Sequence, residues 1–174
     1  LGSEPRLCHY LDLPFQHVSE PVLKRMNRGG DFKKNMQLVD TIRKKYPEAV
    51  IRSSFIVGFP GETEEDFNEL VRFAETAGIE RIGVFGYSDE ENTPAFDLDG
   101  KLEEHVVELR KELLMDISDQ NIEAYNESII DTEQDFLPLG PWDNNSTIGR
   151  IRSQGPDTDG LTRVETPFKE VYTM

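Results

Sequence analysis

Apolar residues recur along this chain at two spacings, and the switches between them mark out its elements. LCHYLDLPF (7–15) is dense in strand formers and is stopped by Pro14. Ser19 precedes Val22, Leu23 and Met26 at helical spacing, with Glu20 and Pro21 in the first turn and Gly29-Gly30 as the expected stop. A second helix is expected from Asp31 as N-cap, with Phe32, Met36, Val39, Ile42 and Tyr46 on one face and Pro47 closing it. AVIRSSFIVGF reads as a strand, and Thr63-x-x-Asp66 as the box that starts the next helix. Phe67, Leu70, Val71 and Ala74 form its apolar stripe, and Gly78 ends it. RIGVFGY (81–87) is a third strand. A long helix over 102–128 follows, with Leu102, Val106, Leu109, Leu113, Ile117 and Ile122 expected on the buried face.

Strands alternating with helices predict parallel β/α units, whose function sits in the loops after the strands. Those loops are DLPFQH (12–17), VGFPGET (57–63) and GYSDEENTPA (86–95), each mixing turn residues with hydrogen-bonding side chains. Three strands are too few to close an eight-stranded barrel, so part of a barrel is expected.

Charge narrows the partners. The chain has 174 residues, 19 basic and 34 acidic, for a net charge of -15. Residues 1–50 carry nine basic and six acidic groups, 51–130 six and twenty, and 131–174 four and eight. A surface of that sign repels phosphates, which makes nucleic acid a poor primary partner and a basic protein a favourable one. Solvated helical faces alone would also account for it. No apolar run approaches a membrane span, and LGSEPRLCHY lacks the plan of a signal peptide, so no membrane partner and a cytoplasmic location are expected. The single Cys8 excludes an intrachain disulfide and a cysteine-only metal site, and reads as a small buried hydrophobe.

Gly58 and Gly61 allow a tight, positive-φ corner stiffened by Pro60, and the helix after it aims free N–H groups there. No Lys-Ser/Thr pair follows the glycines, and Glu62, Glu64, Glu65 and Asp66 would repel a phosphate, so this is not a P-loop. Arg52 sits among apolar strand residues and needs a carboxylate, either an acid of the protein or that of an amino-acid-like ligand.

The runs DLPFQH, LKRMNRG, IRSSFIVGFPGETEEDF and IGVFGYSDEENTPA resemble the later part of the radical S-adenosylmethionine core of the methylthiotransferase family over residues 8–130. They are more similar to its ribosomal-protein-modifying branch than to its tRNA-modifying branch. GRIRSQGPDTDG (149–160) resembles the signature of a TRAM domain, a small β-barrel of oligonucleotide-binding type. The resemblance implies an α/β fold: the C-terminal part of a parallel (β/α) partial barrel over 1–128, then a partial TRAM-like β appendage over 129–174. It also implies S-adenosylmethionine and two 4Fe-4S clusters as cofactors, and transfer of a methylthio group to the β-carbon of an aspartate in a basic small-subunit ribosomal protein.

The cluster motif CxxxCxxC is missing, so the cluster ligands are expected outside this chain, which then reads as the C-terminal portion of a longer enzyme, inactive alone. The resemblance further implies cofactor contacts from Gln16, Arg52, Ser54, Gly58 and Tyr87, with His17 and Glu90 as substrate-side candidates. It implies no catalytic side chain and no metal ligand here. Arg52 is expected to point into the concave face near Gly58, unsaturated by any protein carboxylate. Phe136 and Trp142 are expected in the core or an interface of the tail. A tRNA-modifying enzyme and a non-catalytic acidic scaffold for a basic protein are the alternative readings.

Overall fold

Ile51, Ser53, Phe55 and Val57 are buried while Arg52, Ser54 and Ile56 between them are half-buried, and this period of two gives the central strand one covered and one open face. A computed structural model describes residues 7–169, divided between two compact units, one of them Leu11–Ile129. Its elements are β1 (Tyr10–Asp12), α1 (Glu20–Arg25), α2 (Phe32–Lys45), β2 (Val50–Val57), α3 (Glu64–Thr76), β3 (Arg81–Gly86) and α4 (Glu104–Ser128). The sheet order is β1-β2-β3. β2 and β3 run parallel in a register from Arg52 opposite Arg81 to Val57 opposite Gly86.

Phe73 of α3 centres the core. The rings of Phe15, Phe32 and Phe55 meet it edge-on at 5.5, 5.6 and 6.1 Å, a geometry worth about 0.5–1.5 kcal/mol per pair beyond burial. Val39, Leu70, Ala74, Leu114 and Ile117 complete the cover of the inner sheet face.

Several expected boundaries hold because local chemistry sets them. Asp31 caps α2 by accepting from the Lys34 amide at 2.8 Å. Thr63 and Asp66 form the capping box of α3. Other boundaries moved. The first strand shrinks from nine residues to Tyr10–Asp12, because Pro14 has no N–H to donate and Gln16, at φ +66°, makes only a single parallel bridge to Phe55. α1 ends before Gly29-Gly30: Asn27 takes the left-handed conformation at φ +55° and the Arg28 amide returns to the Leu23 carbonyl at 2.8 Å. The Ser19 hydroxyl does not cap α1; it donates to Asp66 and so ties α1 to the start of α3.

The largest departure is the rotation of α4. Val107, Arg110, Leu114, Ile117 and Ser118 are buried, whereas Leu109 and Leu113 are 61% and 45% exposed. Polar groups set this phase. Ser118 Oγ donates to the Ile82 carbonyl at 2.9 Å, and Asn121 Nδ2 to the carbonyls of Ala74 and Ile79, both at 3.0 Å. Arg110 reaches the buried Glu62, its Nη1 lying 2.6 Å from Oε1, while Nη2 meets Glu64 at 3.0 Å. The other Glu62 oxygen accepts from the Gly58 amide at 2.8 Å.

The tail is all-β: β4 (Phe136–Pro141), β5 (Thr147–Ile151) and β6 (Thr162–Val164) form an antiparallel sheet in that order. Gly149 is obligatory, because a Cβ there would lie 2.2 Å from the Leu137 carbonyl oxygen. Gln154 Oε1 accepts from the Ile151 amide at 3.0 Å and the Thr162 hydroxyl at 2.9 Å, while Asp159 accepts from the Gly155 amide at 2.7 Å and from the Tyr10 hydroxyl. Trp142 is 60% exposed and so lies outside the core of this unit, and the expected burial of Cys8 fails, because the first strand begins only after it.

Two outcomes follow for stability. Arg110→Met leaves the Glu62 carboxylate buried without its partner and should cost about 3–5 kcal/mol in urea unfolding, with much of the loss recovered when Glu62→Gln is added. His17 is fully buried, and desolvation lowers its pKa from 6.5 to about 4. The unfolded chain therefore binds a proton that the fold refuses between those values, so His17 withdraws stability as pH falls from 6.5 to 4, on the order of 3 kcal/mol at the lower end. Burial raises the Glu62 pKa and acts in the opposite sense, favouring the fold as pH falls toward its protonation. His17→Gln should remove the acid-side loss in unfolding curves at pH 7, 5.5 and 4.5. An unchanged pH dependence would contradict it.

Candidate functional site

The open face of the sheet carries a small polar patch. Arg52 and Ser54 project from β2, with Gly83 beside Ser54 on β3. The absence of a side chain at Gly83 leaves room for the guanidinium, since a Cβ would lie 3.3 Å from Arg52 Nη2 and 3.7 Å from Ser54 Oγ. Arg52 Nη1 bonds Asp12 Oδ2 at 2.9 Å and lies 3.5 Å from Ser54 Oγ. The Arg52 expectation is therefore corrected: an acid of the protein does pair with it. Gly58 is also remote, because six residues of extended chain span about 20 Å.

The second feature is a cavity of about 500 Å³ beyond the ends of β2 and β3, where Gly58, Tyr87, Asp89, Lys101 and Glu104 are among the lining residues. The Tyr87 hydroxyl donates to Asp89 Oδ1 at 2.9 Å, and its ring meets Phe59 edge-on at 5.2 Å. Burial, with the Asp89 carboxylate beside it, pushes the Tyr87 pKa up to about 12. Lys101 Nζ closes the group on Asp89 Oδ2 at 2.7 Å and holds that carboxyl below its ordinary range.

The remaining candidates separate from one another. Gln16 bridges β2 through its backbone, its amide donating to the Ser54 carbonyl at 2.9 Å and its carbonyl accepting from the Ile56 amide at 2.8 Å. Gly58, at φ +77°, faces α4: a Cβ there would lie 2.5 Å from Val107 Cγ2, so its missing side chain accommodates a helix. His17 is no surface residue. Its Nδ1 accepts from the Ser19 amide at 3.0 Å, and its Nε2 lies 3.7 Å from Glu62 Oε2 inside the protein. Glu90 is exposed in the loop, where its carbonyl accepts from the Thr93 hydroxyl at 2.8 Å.

The structure thus brings Arg52 to Ser54, and Tyr87 to Gly58 across the cavity, but does not gather all seven candidates. Asp12, Gly83, Asp89 and Lys101 were missed as partners. Asp12 had a signal, an acid inside an apolar run just before the proline. Lys101, twelve residues from Asp89, had none.

Comparison with known proteins places these features in context. Residues 3–74 match the family model of the radical SAM superfamily. The chain is 43% identical over 162 residues to the ribosomal protein uS12 methylthiotransferase RimO of Geobacter sulfurreducens, covering 92% of this chain and 36% of that protein. It is 45% identical over 160 residues to the RimO of Saccharopolyspora erythraea, covering 92% and 33%. Against the RimO of Kineococcus radiotolerans it is 41% identical over 179 residues, covering 96% and 35%. The chain spans about a third of the length of these relatives. With such identity along almost all of its residues, and a parallel α/β sheet of the kind its sequence implies, the chain belongs to the RimO family of the radical SAM superfamily.

Proposed function

We propose that the chain is part of a cytoplasmic radical S-adenosylmethionine enzyme that adds a methylthio group to the β-carbon of an aspartate in ribosomal protein uS12. Leu11–Ile129 would be the later portion of its partial (β/α) barrel, and the all-β tail a partial TRAM-like domain. The observation that carries the reading is the polar patch of Arg52, Ser54 and Gly83 on the open sheet face, in a chain related to uS12 methylthiotransferases along nearly its whole length.

These residues fit the cofactor's amino-acid end. Gly83 leaves the guanidinium space, and a fork-shaped cation next to a hydroxyl suits an α-carboxylate. In this reading Asp12 holds Arg52 over the sheet before the ligand arrives, and the ligand's carboxylate joins or replaces it. Gln16 orders the adjoining chain through its backbone, while Tyr87 offers a ring at the strand ends. S-adenosylmethionine supplies the hydrogen-abstracting radical and the methyl group for such chemistry, and the protein positions the reactants and excludes water. The chain does not fit an iron–sulfur cluster, since clusters are held by several thiolates and it contains one cysteine. In this proposal both clusters are held by the rest of the enzyme.

Two measurements test the reading. In a protein of the relatives' full length, Arg52→Ala should weaken S-adenosylmethionine binding by about 1.5–3 kcal/mol in a calorimetric titration, the worth of hydrogen bonds to a charged group. Arg52→Lys should recover only part of it; unchanged affinity would remove Arg52 from the site. Association with uS12 should also be faster at low salt, as the screening length grows from about 8 Å at 0.15 M to about 30 Å at 0.01 M. A rate indifferent to salt, or tighter binding of tRNA, would return the tRNA-modifying reading.

A further inference from the structure

The phase of α4 has a consequence on its outer side. Arg110 turns inward to Glu62, and Leu109 and Leu113 turn out, 61% and 45% exposed, one helical turn apart on the same strip. Asp116 continues that strip at i+7, and Glu112 and Glu123 lie beside it, all exposed. The helix carries seven carboxylates against Arg110 and Lys111; the first is buried and the second is paired with Glu108 at 3.2 Å. An apolar strip edged by unneutralised acid is therefore presented outward.

Charge narrows the occupant. A second copy of the same strip would set carboxylate against carboxylate, and nucleic-acid phosphates or anionic lipid headgroups would be repelled. Lysine and arginine side chains suit both features at once, because their aliphatic stems cover apolar surface while their charged ends remain at its rim. Exposed apolar positions rimmed by charge are the common form of a protein docking site, with one or two anchors carrying most of the affinity.

We propose that the outward strip of α4 docks a lysine- and arginine-rich segment of a protein partner, its stems lying on Leu109 and Leu113 and its charges meeting Glu112, Asp116 and Glu123. The proposal deepens the reading above by giving uS12 a place to bind, and in naming uS12 it rests on that reading.

Purified uS12 is titrated against the chain at physiological salt, with the fold of every variant checked by circular dichroism. Leu109→Ser with Leu113→Ser, and separately Glu112→Gln with Asp116→Asn and Glu123→Gln, should each weaken binding about tenfold or more. Glu65→Gln with Glu75→Gln, exposed acids of α3, should change it less than twofold. Equal losses from the α3 and α4 acids, or no loss from the leucine pair, would overturn the docking surface. A twenty-residue peptide of alternating lysine and leucine separates the two claims. If it binds with the same sensitivity to the α4 variants while uS12 does not bind, the surface stands and the uS12 reading falls; if neither binds, the surface falls. Protection of Leu109 and Leu113 from hydroxyl-radical oxidation in a protein of the relatives' full length, without partner, would make the cover intramolecular and likewise overturn the proposal.

Discussion

A buried ion pair governs the architecture of the larger unit. Glu62 leaves the end of β2 within the Gly-Phe-Pro-Gly corner and holds Arg110 on one oxygen and the Gly58 amide on the other. Removing both charges from water costs several kcal/mol each and demands close pairing, which both Glu62 oxygens and the two terminal nitrogens of Arg110 find, while Arg110 Nε is buried without a partner. That demand fixes the helix. With Arg110 facing inward, Val107 falls against the glycine at 58, where any side chain would collide with it. Ser118 and Asn121 then meet carbonyls at the start of β3 and the end of α3.

The same corner is held from its other side. Arg25 at the end of α1 donates Nε to the Pro60 carbonyl at 2.7 Å and Nη2 to the Asp99 carbonyl at 2.7 Å, and the Gly61 amide bonds the Gly100 carbonyl at 2.7 Å. α1, α4 and the loop before α4 thus converge on one turn. The positive φ values of Gly58 and Gly61 serve that convergence. A glycine-rich corner which in isolation reads as room for a ligand is here filled by the protein's own helix and arginine.

What the sequence made legible, and what it did not, divides along physical lines. α2 and α3 were readable because Asp31, Thr63 and Asp66 cap them through contacts three residues apart. β2 was readable because Val50, Ile51, Phe55, Ile56 and Val57 are strand formers bounded by Pro47 and the Gly58–Gly61 corner. The phase of α4 was not readable: hydropathy ranks Leu109 above Arg110, and the reason to bury the arginine lies 48 residues away at Glu62. The full burial of His17, a substrate-side candidate, was not legible either, because it depends on the packing that encloses the loop. For Arg52 the sequence showed the need for a carboxylate but left two suppliers open. Asp12, 40 residues earlier, meets that need in the structure.

The phase of α4 carries the central claim, and thiol accessibility reads it directly. In a Cys8→Ser background, single cysteines are placed at 107, 109, 113 and 114 and their rates of reaction with a maleimide are compared. Cysteines at 109 and 113 should react at close to the rate of a free thiol, and those at 107 and 114 on the order of a hundredfold slower, as burial and local opening require. Fast reaction at 107 and 114 with slow reaction at 109 and 113 would put α4 in the phase of its apolar pattern and contradict the Glu62–Arg110 pair as its determinant.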